Sequence, residues 1–189
     1  MIVPTLNSAT GDLVVRLNSV KVGDFKNLLC ILFPKNVLQR PTLQQPLHDK
    51  DVWISGLALS TMLRMNELRE FCVGCLQHSS VSVTPIEKVV LGRGHAVRAL
   101  FLDGCEHLVS QDEQLSFRDG VELGMEVAFK VSCLREERLR SRNGSEEAIT
   151  GSRLEMKFAT ELLAIFAENS EIEGRDVDLR AIDDESDWE

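Results

Sequence analysis

Closely spaced cysteine and histidine residues are the most chemically suggestive feature of this 189-residue chain. Cys72 and Cys75 form a C-x-x-C pair, and a second pair, Cys105 and His107, follows further along. These four side chains are the candidate zinc set, because zinc takes four tetrahedral nitrogen or sulfur ligands. Their spacing matches no standard zinc finger, and cysteines among apolar neighbours pack as small hydrophobic residues. We therefore expect structural thiols, no bound metal and no cofactor.

Catalytic chemistry has weaker support in the sequence. Asp103, His95 and His107 could converge if they lie at the ends of neighbouring strands. The sequence contains no G-x-S-x-G, H-E-x-x-H or phosphate-loop motif. We therefore expect a protein without enzymatic activity, and an enzyme of unknown type is the third alternative.

A basic cluster of four arginines lies within eight residues, and it consists of Arg135, Arg138, Arg140 and Arg142. Arginine side chains contact phosphates, so this segment is the candidate site for RNA or DNA. Two glutamates interrupt the cluster, and no aromatic residue nearby could stack on bases. A solvated charged linker is the favoured interpretation, and a nucleic-acid-binding protein is the alternative.

The C-terminal end is strongly acidic. The chain has a formal charge of −9, of which the last nineteen residues carry −7, so the remainder is nearly neutral. The candidate partner-binding residues are Asp183, Asp184, Glu185, Asp187 and Trp188. In such a segment the ring can enter a pocket while the acids contact a basic rim. Asp187-Trp188-Glu189 also resembles the tryptophan-acidic peptides that helical-repeat adaptor proteins bind. The segment predicts docking to another protein with a basic surface.

Two segments have the apolar spacing of helices. The first is Val52–His78, in which apolar residues recur every three to four positions from Leu59 onward, and it predicts one long central helix. Its beginning, Val52–Ala58, is either part of that helix or a short buried strand. The second is Leu154–Ala167, which we expect to be capped by Ser152.

Between and before these helices the apolar period predicts strands. Met125–Leu134 alternates apolar and polar residues along its whole length. The other predicted strands are Asp12–Val22, Val81–Thr84, Ile86–Leu91 and Ala96–Leu102, with hairpin turns at Asp103-Gly104 and Asp119-Gly120. These segments predict an α+β fold with an antiparallel sheet of about six to eight strands, either open or closed into a sandwich or jelly-roll form.

The expected organisation has four parts. A mixed core domain spans residues 11–134, a charged linker 135–152, a C-terminal helix 153–169 and an acidic disordered tail 170–189. A hydrophobic fraction of 43% is enough for a core. No export signal or membrane-length apolar run is visible, and the odd number of cysteines suits a reducing compartment. We therefore expect a cytoplasmic or nuclear protein without a membrane partner.

The most plausible function from sequence is that of a non-enzymatic interaction protein. It would be an adaptor, a complex subunit or a viral accessory factor that docks through its acidic, tryptophan-containing C-terminal tail. Nucleic-acid binding through the arginine cluster is the alternative function.

Overall fold

The computed structural model describes residues 2–6, 13–17, 20–34, 49–78, 80–141 and 151–174. Nine helices make up most of these residues, and they are α1 (Val22–Leu32), α2 (Lys50–Met62), α3 (Asn66–Gln77), α4 (Pro85–Gly94), α5 (Arg98–Ser110), α6 (Phe117–Leu123), α7 (Met125–Ser141), α8 (Gly151–Lys157) and α9 (Ala159–Glu173). An antiparallel ribbon of β1 (Ile2–Leu6) and β2 (Leu13–Leu17) precedes them, with Ile2 opposite Leu17. The described part of the chain therefore has an all-α fold with a short N-terminal ribbon.

The predicted α+β fold with its large antiparallel sheet is wrong. The segments between residues 81 and 134 that were expected to be strands belong largely to the helices α4, α5 and α7. Asp103-Gly104 and Asp119-Gly120 lie inside α5 and α6 and not at hairpin turns. The predicted strand Asp12–Val22 overlaps β2, and its last residue already begins α1.

The error at α7 has an identifiable cause. Its alternating pattern depended on Phe129 facing the same side as Val127 and Val131. In the structure Val127 and Val131 are buried, whereas Phe129 is 70% exposed. The buried positions Val127, Val131 and Leu134 have helical spacing. An outward-facing phenylalanine therefore gave a helix the appearance of a strand.

Two helices in this region begin with capping boxes that are readable in the sequence. The Thr84 hydroxyl accepts a hydrogen bond from the Glu87 amide, and the Glu87 carboxylate accepts one from the Thr84 amide. Ser116 and Asp119 make the same pair of bonds at the start of α6. Pro85 is the first residue of α4, where its missing N–H has no consequence. These signals favour helices where the apolar alternation favoured strands.

The segment Val52–His78, in which one long central helix was predicted from Leu59 onward, forms two helices. Residues 52–58 are helical and belong to α2, which answers the question left open by the sequence. The chain turns between α2 and α3 at Arg64, whose φ of 55° lies in the left-handed region. The resulting α2–α3 pair buries Trp53, Leu57 and Cys72 between its helices and their neighbours.

Buried side chains form two core clusters. The first, from α1, α2, α3, α5 and the segments on either side of α4, contains Ile31, Trp53, Leu57, Cys72, Cys75, Leu76, Val81, Val97 and Leu100. The second, from α4–α9, contains Val89, Ala96, Phe101, Cys105, Leu108, Val109, Leu123, Val127, Ala128, Val131, Leu134, Leu154, Phe158 and Ile165. The consecutive residues Leu100 and Phe101 face different clusters, so α5 joins the two.

Glycine allows α4 and α5 to approach closely. A Cβ atom placed on Gly104 would lie 2.7 Å from the Pro85 carbonyl oxygen and 2.8 Å from the Val89 amide nitrogen. Backbone atoms at these distances cannot move aside as a flexible side chain could. The close packing of this helix pair therefore requires glycine at position 104.

The C-terminal part differs from the prediction in its boundaries. The helix predicted from Leu154 to Ala167 is divided at Phe158 into α8 and α9. Phe158 is fully buried and meets Phe101 edge to face at a centroid distance of 5.5 Å, whereas Phe166 is half exposed. The predicted linker 135–152 begins inside α7, which continues to Ser141.

Candidate protein-interaction surfaces

The candidate zinc residues do not come together in the structure. Cys72 and Cys75 lie in the first core cluster, Cys105 lies in the second, and His107 is exposed on α5. Burial raises the pKa of the Cys72 and Cys105 thiols to about 12 and that of Cys75 to about 11. Within the described ranges, no three acidic, cysteine or histidine side chains form a metal-binding group. Neutral buried thiols of this kind contribute packing.

Of the three residues considered for catalysis, Asp103 and His107 are in contact, whereas His95 lies elsewhere, after α4. Asp103 and His107 lie one turn apart on α5, with Nδ1 of His107 3.1 Å from the Asp103 carboxylate. Lys88 on α4 holds the other carboxylate oxygen at 2.6 Å. His95 lies beside the buried Arg69, and burial together with that positive charge lowers its pKa. The Lys88–Asp103–His107 group has the geometry of an ion pair between two helices.

Three of the four clustered arginines lie within the described residues, and Arg142 lies outside them. Arg135 donates to the carbonyl oxygens of Gln111 and Glu113, and Arg138 donates to that of Ser110 at 2.5 Å. Arg138 also forms a 2.8 Å ion pair with Asp112. Arg140 is 80% exposed at its side chain and pairs with Glu136 one turn away. Two of the three guanidinium groups therefore join α7 to the end of α5.

Two further arginines donate to carbonyl groups at helix C-termini. Arg69 donates to the carbonyl oxygens of His95 and Ala96 just after α4, at 2.7 and 3.0 Å. Arg93 donates to the Leu123 carbonyl oxygen at the end of α6, at 2.8 Å. The last carbonyl groups of a helix lack intrahelical hydrogen-bond donors and carry partial negative charge. A guanidinium group supplies both hydrogen-bond donors and a positive charge. Sequence reasoning missed this role because the partners lie more than twenty residues away.

The structure exposes large apolar side chains on α6 and α7. Phe117 and Val121 on α6 are 83% and 60% exposed, and Met125 and Phe129 on α7 are 68% and 70% exposed. Each pair is spaced by four residues and so lies on one side of its helix. Val121 and Met125 are four residues apart, which limits their Cα separation to about 14 Å. We call these four residues the α6–α7 apolar surface.

The turn between α6 and α7 is possible because of one glycine. Gly124 has a φ of 85°, which non-glycine residues rarely adopt. A Cβ atom placed on Gly120 would be 3.8 Å from the Cβ of Ala128, so the two helices fold back on each other. Their small residues face inward at this corner, while the large residues of the α6–α7 apolar surface face solvent.

A second exposed apolar surface lies on α1. Its members are Val22, Phe25, Leu29, Leu32 and Phe33, with exposed fractions between 37% and 73%. The opposite side of the helix contains the buried residues Leu28 and Ile31 and contacts α2. We call the five exposed residues the α1 outer face. The sequence pattern alone did not indicate either surface, although the four-residue spacing of the first is visible in it.

The chain has no match among protein-family models, curated proteins or solved structures. Its function is therefore interpreted from its own residues. Across the part of the chain that the structure describes, no helix combines the length and apolar character needed to cross a bilayer. The predicted docking residues Asp183, Asp184, Glu185, Asp187 and Trp188 lie outside the described residues.

Proposed function

We propose that this protein is a non-enzymatic interaction protein, an adaptor or complex subunit, that acts in the cytoplasm or nucleus. The α6–α7 apolar surface is the observation that carries the proposal. Four large apolar side chains that are at least 60% exposed lie on two consecutive helices, although both helices also contribute buried residues to the second core cluster. Exposed apolar groups of this size mark contact surfaces in soluble proteins.

The composition of this surface suits a protein partner. Phenylalanine and methionine are enriched in protein interfaces, and a few buried side chains supply most of the binding free energy. Helical spacing on α6 and α7 presents ridges that can pack against the apolar side of a partner helix. The partner that fits is therefore a protein that contributes an apolar helix surface.

The charged residues beside the α6–α7 apolar surface bear on which class of partner it binds. Arg118 and Glu122 follow the two apolar residues of α6, and Glu126 and Lys130 follow those of α7. The Lys130 ammonium group is already paired with Glu126 at 3.0 Å and with Glu161 at 2.7 Å. These four flanking residues are two basic and two acidic, so together they supply no net positive charge. Attraction of phosphates, whether of nucleic acid or of an anionic membrane, needs such a charge, so a protein partner is favoured at this site.

The acidic C-terminal segment is the second docking element in this proposal. Its aromatic residue, Trp188, would fill a pocket on a partner while the neighbouring acids contact basic groups. An adaptor with two separate docking elements can hold two partners together, and linked contacts strengthen one another. The two elements are tested separately below.

The test begins with capture of partners on the tagged full-length chain. Each captured protein is then purified, and its Kd is measured by calorimetry for the wild type and three variants. Phe117→Ser/Phe129→Ser removes the two aromatic side chains of the α6–α7 apolar surface, and Trp188→Ala removes the anchor of the C-terminal segment. Leu139→Ser is the matched control, because Leu139 is a 52% exposed apolar residue elsewhere on α7.

We expect the double variant to bind about 30-fold more weakly, which corresponds to about 2 kcal/mol. The Leu139→Ser control should bind as the wild type does, and circular dichroism should show that every variant is folded. Equal affinity of the wild type and the double variant for every captured protein would overturn the role of this surface. Loss of binding in Trp188→Ala alone would assign docking to the C-terminal segment only.

A further inference from the structure

Helix α1 has its polar residues on the inside. The Asp24 carboxylate accepts a 3.0 Å hydrogen bond from the Ser55 hydroxyl group, and the Asn27 amide donates one of the same length to that hydroxyl. Ser55 is a buried residue of α2. The contact between α1 and α2 therefore combines this polar group with the apolar residues Leu28 and Ile31.

The side of α1 that faces solvent is apolar instead. At 3.6 residues per turn, the five residues of the α1 outer face fall within an arc of about 100°. Lys21 and Lys26, both exposed, are next to this arc on its two sides. The polarity of the helix is thus the reverse of that expected for a helix at a protein surface. An apolar strip between two positive charges is complementary to a ligand with apolar and acidic groups.

A cavity of about 390 Å³ adjoins this face. Its lining consists of Leu32 from the α1 outer face and Met65, Asn66, Glu67 and Leu68 from the beginning of α3. A volume of this size is in the range of sites that hold a small ligand or a large side chain. The cavity therefore offers a place for an aromatic ring beside the apolar strip.

The positive side chains near the cavity lie outside its lining, and the one charged residue of the lining is acidic. Met65 at the start of α3 gives no side-chain cap, so the first amide groups of that helix have no side-chain acceptor from this position. The N-terminal end of α3 carries partial positive charge, and the exposed Arg64 side chain is also positive. Both add to the positive charge of Lys21 and Lys26 at α1. Glu67 is the one acidic residue in the cavity lining.

The chain itself contains a segment with the complementary chemistry. Residues 183–189 combine five acids with Trp188 and contain no basic residue. The helix that leads toward them, α9, ends at Glu173, and the charges of Glu173 and Glu168 act on Arg69. Arg69 directly follows Leu68 of the cavity lining, so α9 ends near an α3 residue adjacent to the cavity. Fifteen residues from Glu173 to Trp188 can span about 50 Å, which is enough to reach from the end of α9 to the cavity.

We propose that the α1 outer face and its cavity reversibly bind the acidic, tryptophan-containing C-terminal segment of the same chain. The indole ring of Trp188 enters the cavity, and the acids beside it contact Lys21, Lys26 and Arg64. A partner that recognises the segment must then compete with α1 for it. This inference rests on the docking role that the proposed function gives to the C-terminal segment, and it adds a means of controlling that role.

The test is the indole N–H resonance of Trp188 in the isotope-labelled full-length protein, assigned by its absence in Trp188→Ala. We compare the wild type with Leu32→Gln, which alters the cavity, and with Lys21→Glu/Lys26→Glu, which reverses the flanking charges. Val121→Gln is the control, because Val121 is exposed on α6 and belongs to the other surface. The signal of the buried Trp53 reports whether each variant is folded.

We expect the Trp188 resonance of the wild type to differ from that of a free peptide of residues 175–189. It should move to the free-peptide position in both α1 variants, consistent with an equilibrium constant for docking lowered about tenfold. The Val121→Gln control should match the wild type, and the shift should not depend on protein concentration. A wild-type resonance at the free-peptide position would overturn the proposal.

A shift that grows with protein concentration would also overturn it, because the segment would then bind a second copy. Neither result would affect the partner affinities measured for the α6–α7 apolar surface. Conversely, if the α6–α7 apolar surface binds no partner, the expected position of the Trp188 resonance is the same. The two hypotheses can therefore fail independently.

Discussion

Helices α5 and α7 contact each other and contribute to the same core cluster, but they use their apolar residues differently. On α5, the large residues Leu100, Phe101 and Leu108 are at most 2% exposed. On α7, Val131 is fully buried, whereas Phe129 is 70% exposed. The fold accounts for the apolar residues of α5, but it leaves the outer residues of α7 without a structural role. The proposed binding function is based on this excess of exposed apolar groups.

The sharpest test of this comparison replaces one phenylalanine on each helix. Phe101→Ala should lower the free energy of unfolding by about 3–5 kcal/mol, because it leaves a cavity beside Phe158. Phe129→Ala should change it by less than about 0.5 kcal/mol, since an exposed ring loses little on removal. Urea denaturation at constant m-value measures both. Similar losses for the two variants would show that Phe129 belongs to the core.

A smaller effect is expected at the contact between α4 and α5. Gly104→Ala should lower the free energy of unfolding by about 1–3 kcal/mol, because the new methyl group collides with the backbone of Pro85 and Val89. Gly94→Ala is the matched control, since no atom lies within 4 Å of a Cβ placed there. It should leave stability unchanged or raise it by a few tenths of a kcal/mol. Thermal denaturation of both proteins makes the comparison, and a neutral Gly104→Ala would contradict the close packing.

Substitutions of the α7 arginines test whether that helix stabilises the C-terminal end of α5. Arg138→Gln should lower the free energy of unfolding by about 1 kcal/mol, since it removes charge-assisted bonds at a partly exposed site. Arg140→Gln should have almost no effect, because its partner is an exposed glutamate on the same helix. Hydrogen exchange of the last turn of α5 provides a local measurement. Equal protection of that turn in both variants would argue against the capping role.

The smallest expected effect concerns pH and the turn before α5. Burial and the neighbouring Arg69 hold the pKa of His95 below its usual value, so protonation favours the unfolded chain. Stability should therefore fall as pH drops below the unfolded-state pKa of about 6.5 and level off below the folded-state pKa. Denaturation midpoints between about pH 8 and 5 measure the slope, which should be smaller in His95→Asn. An unchanged slope in the variant would assign the dependence to other groups.

Part of the fold could be predicted from the sequence. The apolar period of residues 59–76 predicted helical structure, which the structure has in two pieces divided at Arg64. The period of residues 154–167 likewise predicted helical structure, although α8 and α9 divide it at Phe158. The capping box at Thr84 and Glu87 was equally visible, but Pro85 next to it was interpreted as a strand break. Local signals of this kind act between neighbours in the chain and are therefore readable.

The candidate surfaces could not be predicted in the same way. Apolar residues are normally assigned to the core, so Phe129 was expected to be buried with Val127 and Val131. Whether such a residue is covered depends on which other helix packs over it, and no local pattern contains that information. The four-residue spacing from Phe117 to Phe129 was compatible both with a buried and with an exposed side of the helices.

The sequence by itself determined the uneven charge, the apolar content and the capping signals, because these depend on residue identity and near neighbours. The tertiary structure decided which apolar side chains are buried and which carbonyl groups the arginines contact. Arg69, for example, reaches carbonyl oxygens 26 and 27 residues away. The tertiary structure also placed the polar residues of α1 against Ser55 and the apolar residues of the α1 outer face toward solvent. Such choices arise from packing between distant segments, where burial of one face determines the exposure of the other.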